Sequence, residues 1–352
     1  MKDDLTAGYA ASRRTFLSGA AGATLTVALP ARLRAQSGTI VSTIFGGAFE
    51  AAYRRHIVTP FEQAYGAEVI LQYGTSAEWV ANAMLNADRP EIDVLFLAYP
   101  DSIRAVNENL GIVLTPDDVP NVSELHPVWY EDYKRTGVGL DYASWGLTYR
   151  TDSGVPAPTS WLDLFKPEYA GRVIVPNLTT SGGFQTLVMM AKLHGGSEDD
   201  IEPGFEAMKR LKPSIRKFYL SNPEAGQMME RGDAIIGAMY DNATWYLSDA
   251  GKPMQWIIPS EGALVGMVSL HIAHNTRNME LCKAFVNFAI SKEANEAFCN
   301  EINAGPTNKH AMLSEPAASR VPALQEIIFP DWFKIVEYAP SWIERWNREI
   351  VS

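Results

Sequence analysis

Thr39–Phe45 reads TIVSTIF and runs directly into Gly46-Gly47, after which Phe49, Tyr53, Ile57 and Phe61 recur at every fourth position. A β-rich run predicts a strand, and a four-residue recurrence keeps its side chains on one face of a helix. Pro60, late in that helix, is expected to kink or divide it, because proline lacks the N–H that continues the ladder. Glu68–Tyr73 (EVILQY) reads as a second strand ending at Gly74-Thr75-Ser76, and Trp79, Met84 and Leu85 fall on a further helix. Ile92–Ala98 (IDVLFLA) is a short, continuously apolar run of the kind buried on both faces of a parallel sheet. Strand, helix, strand, helix, strand in this order predicts an α/β fold, since parallel neighbours need a crossover helix between them.

The same grammar restarts further along. Arg172–Pro176 (RVIVP) predicts a strand, followed by Asn177–Gly183 (NLTTSGG) and a helix over Phe184–His194. Ala234–Tyr240 (AIIGAMY) predicts another strand leading to Asp241, Asn242 and a helix. Between the blocks, Tyr142–Tyr149 (YASWGLTY) is a strand able to cross from one lobe to the other. Leu264–Ala273 (LVGMVSLHIA) is able to cross back. The expectation is a two-lobed α/β fold with mixed, mainly parallel sheets, hinge crossovers and a cleft between the lobes. The division expected is 36–145 plus 266–310 for the first lobe, 146–265 for the second, and a helical C-terminal segment over 311–352. In open α/β sheets ligands bind at the carboxyl ends of the strands, so the cleft is the place to look for a site.

Ser12–Leu17 reads SRRTFL, a small-residue apolar stretch covers Ser18–Leu29, and Pro30–Ala35 closes the segment. Two arginines before a weakly apolar stretch of this length fit an export signal and are too short for a membrane span. The string looks like a twin-arginine signal, with removal expected near Ala35 and a periplasmic destination. The formal net charge is −11 over 352 residues. Residues 1–35 carry Lys2, Arg13, Arg14, Arg32 and Arg34 against Asp3 and Asp4, so the remainder is more acidic still. That balance disfavours nucleic acid and anionic membrane, both of which attract clustered Lys and Arg. No later stretch is apolar for long enough to suggest stable membrane insertion. Cys282 and Cys299 fall in neighbouring helical stretches, to be read either as a bond formed in an oxidising compartment or as two buried thiols.

Several strings together resemble the family-1 extracellular solute-binding proteins, in particular their spermidine/putrescine-binding branch. They are Trp161–Arg172 (WLDLFKPEYAGR), Gly111–Asn121 (GIVLTPDDVPN), Glu261–Ile272 (EGALVGMVSLHI) and Ala284–Ile290 (AFVNFAI), with the similarity extending over nearly all of 39–310. The resemblance implies a hinged two-lobed receptor, acting as a monomer, that delivers a small solute to an inner-membrane ABC permease. Polyamine binders of this branch place carboxylates in the cleft. Here the acids that follow the strand at Arg172–Pro176 are replaced by NLTTSGGFQ, and Gly266 and Val268 stand where a Trp and an Asp are usual. A buried ammonium without a carboxylate is costly, so the expected ligand is an anionic or zwitterionic carboxylate or phosphonate.

Candidate ligand contacts follow from position at strand ends and helix starts. Thr179, Thr180, Ser181 and Gly182 lie between a strand and a helix, where hydroxyls and first-turn N–H groups serve a cap or an anion equally well. Gly46, Gly47 and Phe49 follow the first strand, Gly74, Thr75 and Ser76 the second, and Tyr99 the third. Trp145, Tyr240 and Asn242 supply aromatic walls and an amide, Asp241 is the remaining acid to answer a cationic group, and Asn303 lies on a late loop. An enzyme is the rival class. The sequence has no Gly-x-Gly-x-x-Gly, Gly-x-Ser-x-Gly, Walker lysine or His-Glu-x-x-His, and its histidines do not cluster. No cofactor is expected. An iron-carrying receptor would call for a tyrosine pair with acids or histidine, and no Tyr-Tyr occurs. A receptor that presents its ligand to a membrane kinase would use the same cleft.

Overall fold

The computed structural model describes residues 38–352, so the export segment expected over 1–35 lies outside the described residues. The strands are β1 (Thr39–Ile44), β2 (Glu68–Tyr73), β3 (Val94–Ala98), β4 (Val138–Arg150), β5 (Val173–Pro176), β6 (Ile215–Tyr219), β7 (Ile236–Tyr240), β8 (Met254–Ile257), β9 (Ala263–Ile272), β10 (Gly305–Pro306) and β11 (Ile327–Ile328). The α-helices are α1 (Ala48–Tyr53), α2 (Thr59–Tyr65), α3 (Ser76–Leu85), α4 (Tyr99–Asn107), α5 (Ser181–Leu193), α6 (Glu202–Leu211), α7 (Asn222–Glu230), α8 (Asp241–Asp249), α9 (Met279–Ala289), α10 (Lys292–Ile302), α11 (Ala317–Arg320) and α12 (Trp332–Trp346).

The main path of the sheet runs β2-β1-β3-β9-β4-β7-β5-β6. Its two ends are parallel blocks, β2-β1-β3 and β7-β5-β6. They are joined through β9 and β4, which pair antiparallel with each other and with their outer neighbours. The first half of the thirteen-residue β4 pairs with β9 and its second half with β7 and β8. These long strands are the two crossovers anticipated at Tyr142–Tyr149 and Leu264–Ala273, and they give the α/β fold its two-lobed form.

Each block follows its sequence pattern. Val94–Leu97 is fully buried, as a continuous apolar run between helix layers demands. Tyr53, Ile57 and Phe61 are fully buried on one face of the first helical stretch. A π-turn over Arg54–Val58 separates α1 from α2, immediately before Pro60. The widened turn is where the helix accommodates a residue that cannot donate and whose ring crowds the preceding carbonyls. Four strands escape the pattern, β10 and β11 being only two residues each. β6 is an edge strand carrying exposed Arg216 and Lys217, and β8 is only four residues long.

The C-terminal helix α12 is held by aromatic contacts at both ends. Trp332 stacks on Tyr99 at 5.2 Å between ring centroids, while Trp346 meets Phe218 edge-on at 5.2 Å. Cys282 and Cys299 are both buried free thiols, so of the two readings the unbonded one holds. Burial pushes the Cys282 thiol up to about 12 and the Cys299 thiol well above its ordinary range. Among the described residues no helix is long and apolar enough to cross a membrane.

Candidate functional site

A cleft opens where the parallel strands end. One cavity, of ≈ 230 Å³, is lined by Phe45 after β1, Ala98 at the end of β3 and Tyr99 after it, Tyr240 at the end of β7, and Asp141, Ala143, Gly266 and Val268 on the crossovers. A second, of ≈ 170 Å³, is lined by Pro176 at the end of β5, Tyr219 at the end of β6 and Leu220 after it, and Trp145, Thr180 and Gly182. Ser181, Asn222 and Tyr240 line both, so the two are one continuous cleft. Carboxyl ends of strands from both parallel blocks therefore face the same space, as the topology rule for open sheets requires.

The aromatic wall is built by close packing. Trp145 and Tyr240 meet edge-to-face at 4.6 Å, a favourable geometry for two ring quadrupoles. Trp145 donates its indole N–H to Thr186 Oγ1 at 3.1 Å. The Tyr240 hydroxyl donates to Gln185 Oε1 at 2.6 Å, and Gln185 in turn donates to the Val265 carbonyl at 2.9 Å. Two glycines make this wall possible. A Cβ on Gly182 would come within 2.3 Å of the Trp145 ring, and one on Gly266 within 2.4 Å of the Tyr240 ring. The Gly266 read from the sequence as a departure is thus the space that Tyr240 fills.

The start of α5 opens on the cleft. Thr180 caps it by accepting from the Gly183 N–H at 3.1 Å and donates its own hydroxyl to the Asn177 carbonyl at 2.8 Å. Thr180 thus caps α5 and also lines the cleft. Ser181 and Gly182, in the first turn, line the cleft as well.

The floor carries two buried acids. Asp241 Oδ1 accepts from the Ser144 N–H at 3.0 Å and from the Asn242 N–H at 2.7 Å, while its Oδ2 is buried without a partner. Asp141 is 1% exposed, lines the cleft, and its Oδ1 is likewise buried and unpartnered. A bulge in β4 after Gly139 sets Asp141 directly opposite Val268 of β9. Such an extra residue re-aims the side chains that follow it. Desolvation pushes both carboxyls up, Asp141 further because the Asp241 charge adds to its burial. The two N–H donors moderate the rise at Asp241.

The expected residues divide clearly. Phe49, Tyr99, Trp145, Thr180, Ser181, Gly182, Tyr240 and Asn242 line the cleft, and Asp241 lies beneath it beside the cleft-lining Asp141. Others are engaged in local structure. Thr75 caps α3 in a reciprocal box with Glu78, and Ser76 Oγ accepts from the Ala98 N–H at 3.0 Å. Gly46, Gly47 and Gly74 are exposed turn residues, Gly47 with φ of 81°. Thr179 is exposed and donates to Asn177 Oδ1 at 3.0 Å. Asn303 ends α10 in a left-handed conformation and accepts from Arg320 at 3.1 Å. Asp141, Asn222 and Phe45 were not singled out from the sequence. An aspartate inside the apolar run of β4 was the one legible signal among them. Among the described residues no group of three His, Cys, Asp or Glu side chains is arranged to hold a metal ion.

Two parallel blocks joined by β4 and β9, with a polar, aromatic-walled cleft at their strand ends, define the class of fold. The chain belongs to the bacterial extracellular solute-binding proteins, whose family model matches residues 56–325. It is similar to the spermidine/putrescine-binding periplasmic protein of Salmonella typhimurium, at 28% identity over 199 residues. That match covers 54% of this chain and 56% of the relative, so the chain spans little more than half of its length. It is also similar to the gamma-aminobutyric acid-binding protein of Pseudomonas aeruginosa, at 23% identity over 303 residues and 83% of each chain. Among solved structures, an extracellular solute-binding protein from Bordetella parapertussis superposes with a TM-score of 0.79 at 26% identity. It covers 89% of this chain and 98% of that one.

Proposed function

We propose that this protein is the periplasmic receptor of an ABC-type importer, capturing a small polar solute by closing its two lobes and presenting it to an inner-membrane permease. The observation that carries the reading is the cleft itself, walled by strand ends from both parallel blocks. Each lobe supplies only part of the contact set, so full satisfaction of a guest requires the closed form, and binding shifts the population toward it. The passage of β4 from β9 to β7 at Trp145 supports a lobe boundary near 145/146. A twin-arginine signal over 1–35 accounts for export. Relatives named for binding spermidine/putrescine and gamma-aminobutyric acid support a small polar solute.

The test is a thermal-shift screen of polyamines, amino acids, carboxylates and phosphonates, followed by calorimetry on the best ligand. Asn242→Ala should weaken binding by about tenfold, the loss of one buried polar contact, with melting temperature unchanged. Disappearance of solute uptake on deletion of the gene is also expected. Chemical turnover of any bound compound, or affinity untouched by Asn242→Ala, would contradict the reading.

A further inference from the structure

Trp332, the first residue of α12, reaches the cleft through a neighbour. Its ring stacks on Tyr99 with centroids 5.2 Å apart and 20° between the planes, and Tyr99 lines the cleft. Trp332 itself is set behind the cleft border and is 2% exposed. Tyr99 is the first residue of α4, directly after β3, so the β2-β1-β3 block sets its backbone. The body of α12 is fastened to the other block. Arg345 donates to both Glu202 carboxylate oxygens, at 2.6 and 2.8 Å, while Trp342 meets Phe184 at 6.5 Å and Trp346 meets Phe218 at 5.2 Å. Glu202, Phe184 and Phe218 lie on α6, α5 and β6, which pack with β5 and β7. The Asp331 cap adds a further tie, its N–H donating to Glu198 Oε1 at 3.2 Å. Trp332 is thus held from one parallel block and presses on a cleft residue of the other.

We infer that Trp332 is a positioning residue for solute binding: without touching the solute, it holds the Tyr99 ring in place at the cleft border. The inference rests on the receptor reading and deepens it. Stacked aromatic rings attract beyond the area they bury, and a ring backed by another ring has little room to turn. Removing the indole opens a void, and the groups around such a void collapse into it only in part. Tyr99 borders both that void and the cleft, so its movement changes the cleft itself. Freedom gained by the ring is freedom that a bound solute must remove again, and affinity falls accordingly. A tryptophan with no such role would affect stability alone. Trp346 supplies that comparison within the same helix: it is 1% exposed and its ring partner Phe218 lines neither cavity.

Calorimetry on the full chain tests this with spermidine, putrescine and 4-aminobutyrate, the tightest of the three serving for every variant. Trp332→Ala should weaken binding by about 3- to 10-fold, the value of a lost aromatic pair. Trp332→Phe keeps a ring to stack and should restore affinity to within about twofold. Trp346→Ala should lower the melting temperature and leave affinity within about twofold of the wild type. In a Tyr99→Leu background, Trp332→Ala should change affinity by less than about twofold, because the group it acts through is gone. A crystal structure of the solute-free Trp332→Ala protein should show the Tyr99 ring displaced. Melting temperatures report whether each variant has folded; should Trp332→Ala fail to fold, Trp332→Leu, which fills more of the space but cannot stack, replaces it with the same expectations. Unchanged affinity in the Trp332 variant, an equal loss from Trp346→Ala, a full loss in the Tyr99→Leu background, or a Tyr99 ring left in place overturns the inference and leaves the receptor reading standing. A wild type that bound none of the three probes would overturn the inference, and the receptor reading would fall with it if no uptake depended on the gene.

Discussion

Asp141→Asn in the ligand-free protein isolates the energetics of the cleft floor. The Asp141 carboxyl is held up to about 8 by desolvation and by the neighbouring Asp241, against an ordinary value near 3.8. Between these two values the folded chain binds a proton that the unfolded chain does not. Folding stability therefore falls as pH rises through that window, is greatest below the unfolded value, and levels off above the folded one. Asparagine cannot ionise, so the variant should escape the decline. Full displacement over three pH units is worth about 4 kcal/mol, and relaxation around a buried group reduces this to about 2–4 kcal/mol. For a chain of this size, an unfolding entropy of about 2.1 cal/mol/K per residue gives roughly 0.7 kcal/mol/K, so the gain corresponds to about 3–6 °C. The assay is differential scanning calorimetry of both proteins in amine-free buffers from about pH 5 to about pH 8. The melting temperature of the variant minus that of the wild type should widen steadily by that amount. A difference that stays constant across the range would show that Asp141 is ionised and paired throughout, and the account of the floor would be wrong.

Gly266→Ala should destabilise by about 1–3 kcal/mol and weaken ligand binding, because its Cβ would lie 2.4 Å from the Tyr240 ring and push that wall into the cleft. Chemical denaturation and calorimetry measure the two effects, and an unchanged protein would mean that the Tyr240 position is not fixed as described. Thr180→Ala removes the side-chain cap of α5 and should cost about 1 kcal/mol in urea denaturation; no loss would show the cap to be dispensable. Both cysteines should react with a thiol reagent only after denaturation, with two thiols per chain, since each is a buried free thiol; a mass consistent with a disulfide would contradict this.

Most of the fold was legible because its strands are strongly patterned. The apolar run at Ile92–Ala98 and the paired restart at Arg172 and Ala234 leave few arrangements other than two α/β blocks. β6 was not legible because Arg216 and Lys217 belong to an edge strand, where charge is favoured and the apolar signal is diluted. In the site, the residues found were those at strand ends with a recognisable type, such as Tyr240 and Ser181. Gly74, Thr75 and Asn303 share that local signature, but capping and turn geometry account for them, and one sequence motif serves both purposes. Asp141 was missed for a different reason. Its place on the cleft floor depends on a bulge in β4 and on its register against β9, and such long-range pairing has no local trace.

The most direct measurement is a crystal structure with the tightest-binding solute. The account predicts a closed form with the solute between the Phe45 and Phe49 side and the Tyr240 and Asn222 side. A solute seated elsewhere, or bound with the cleft unchanged from the empty protein, would contradict it.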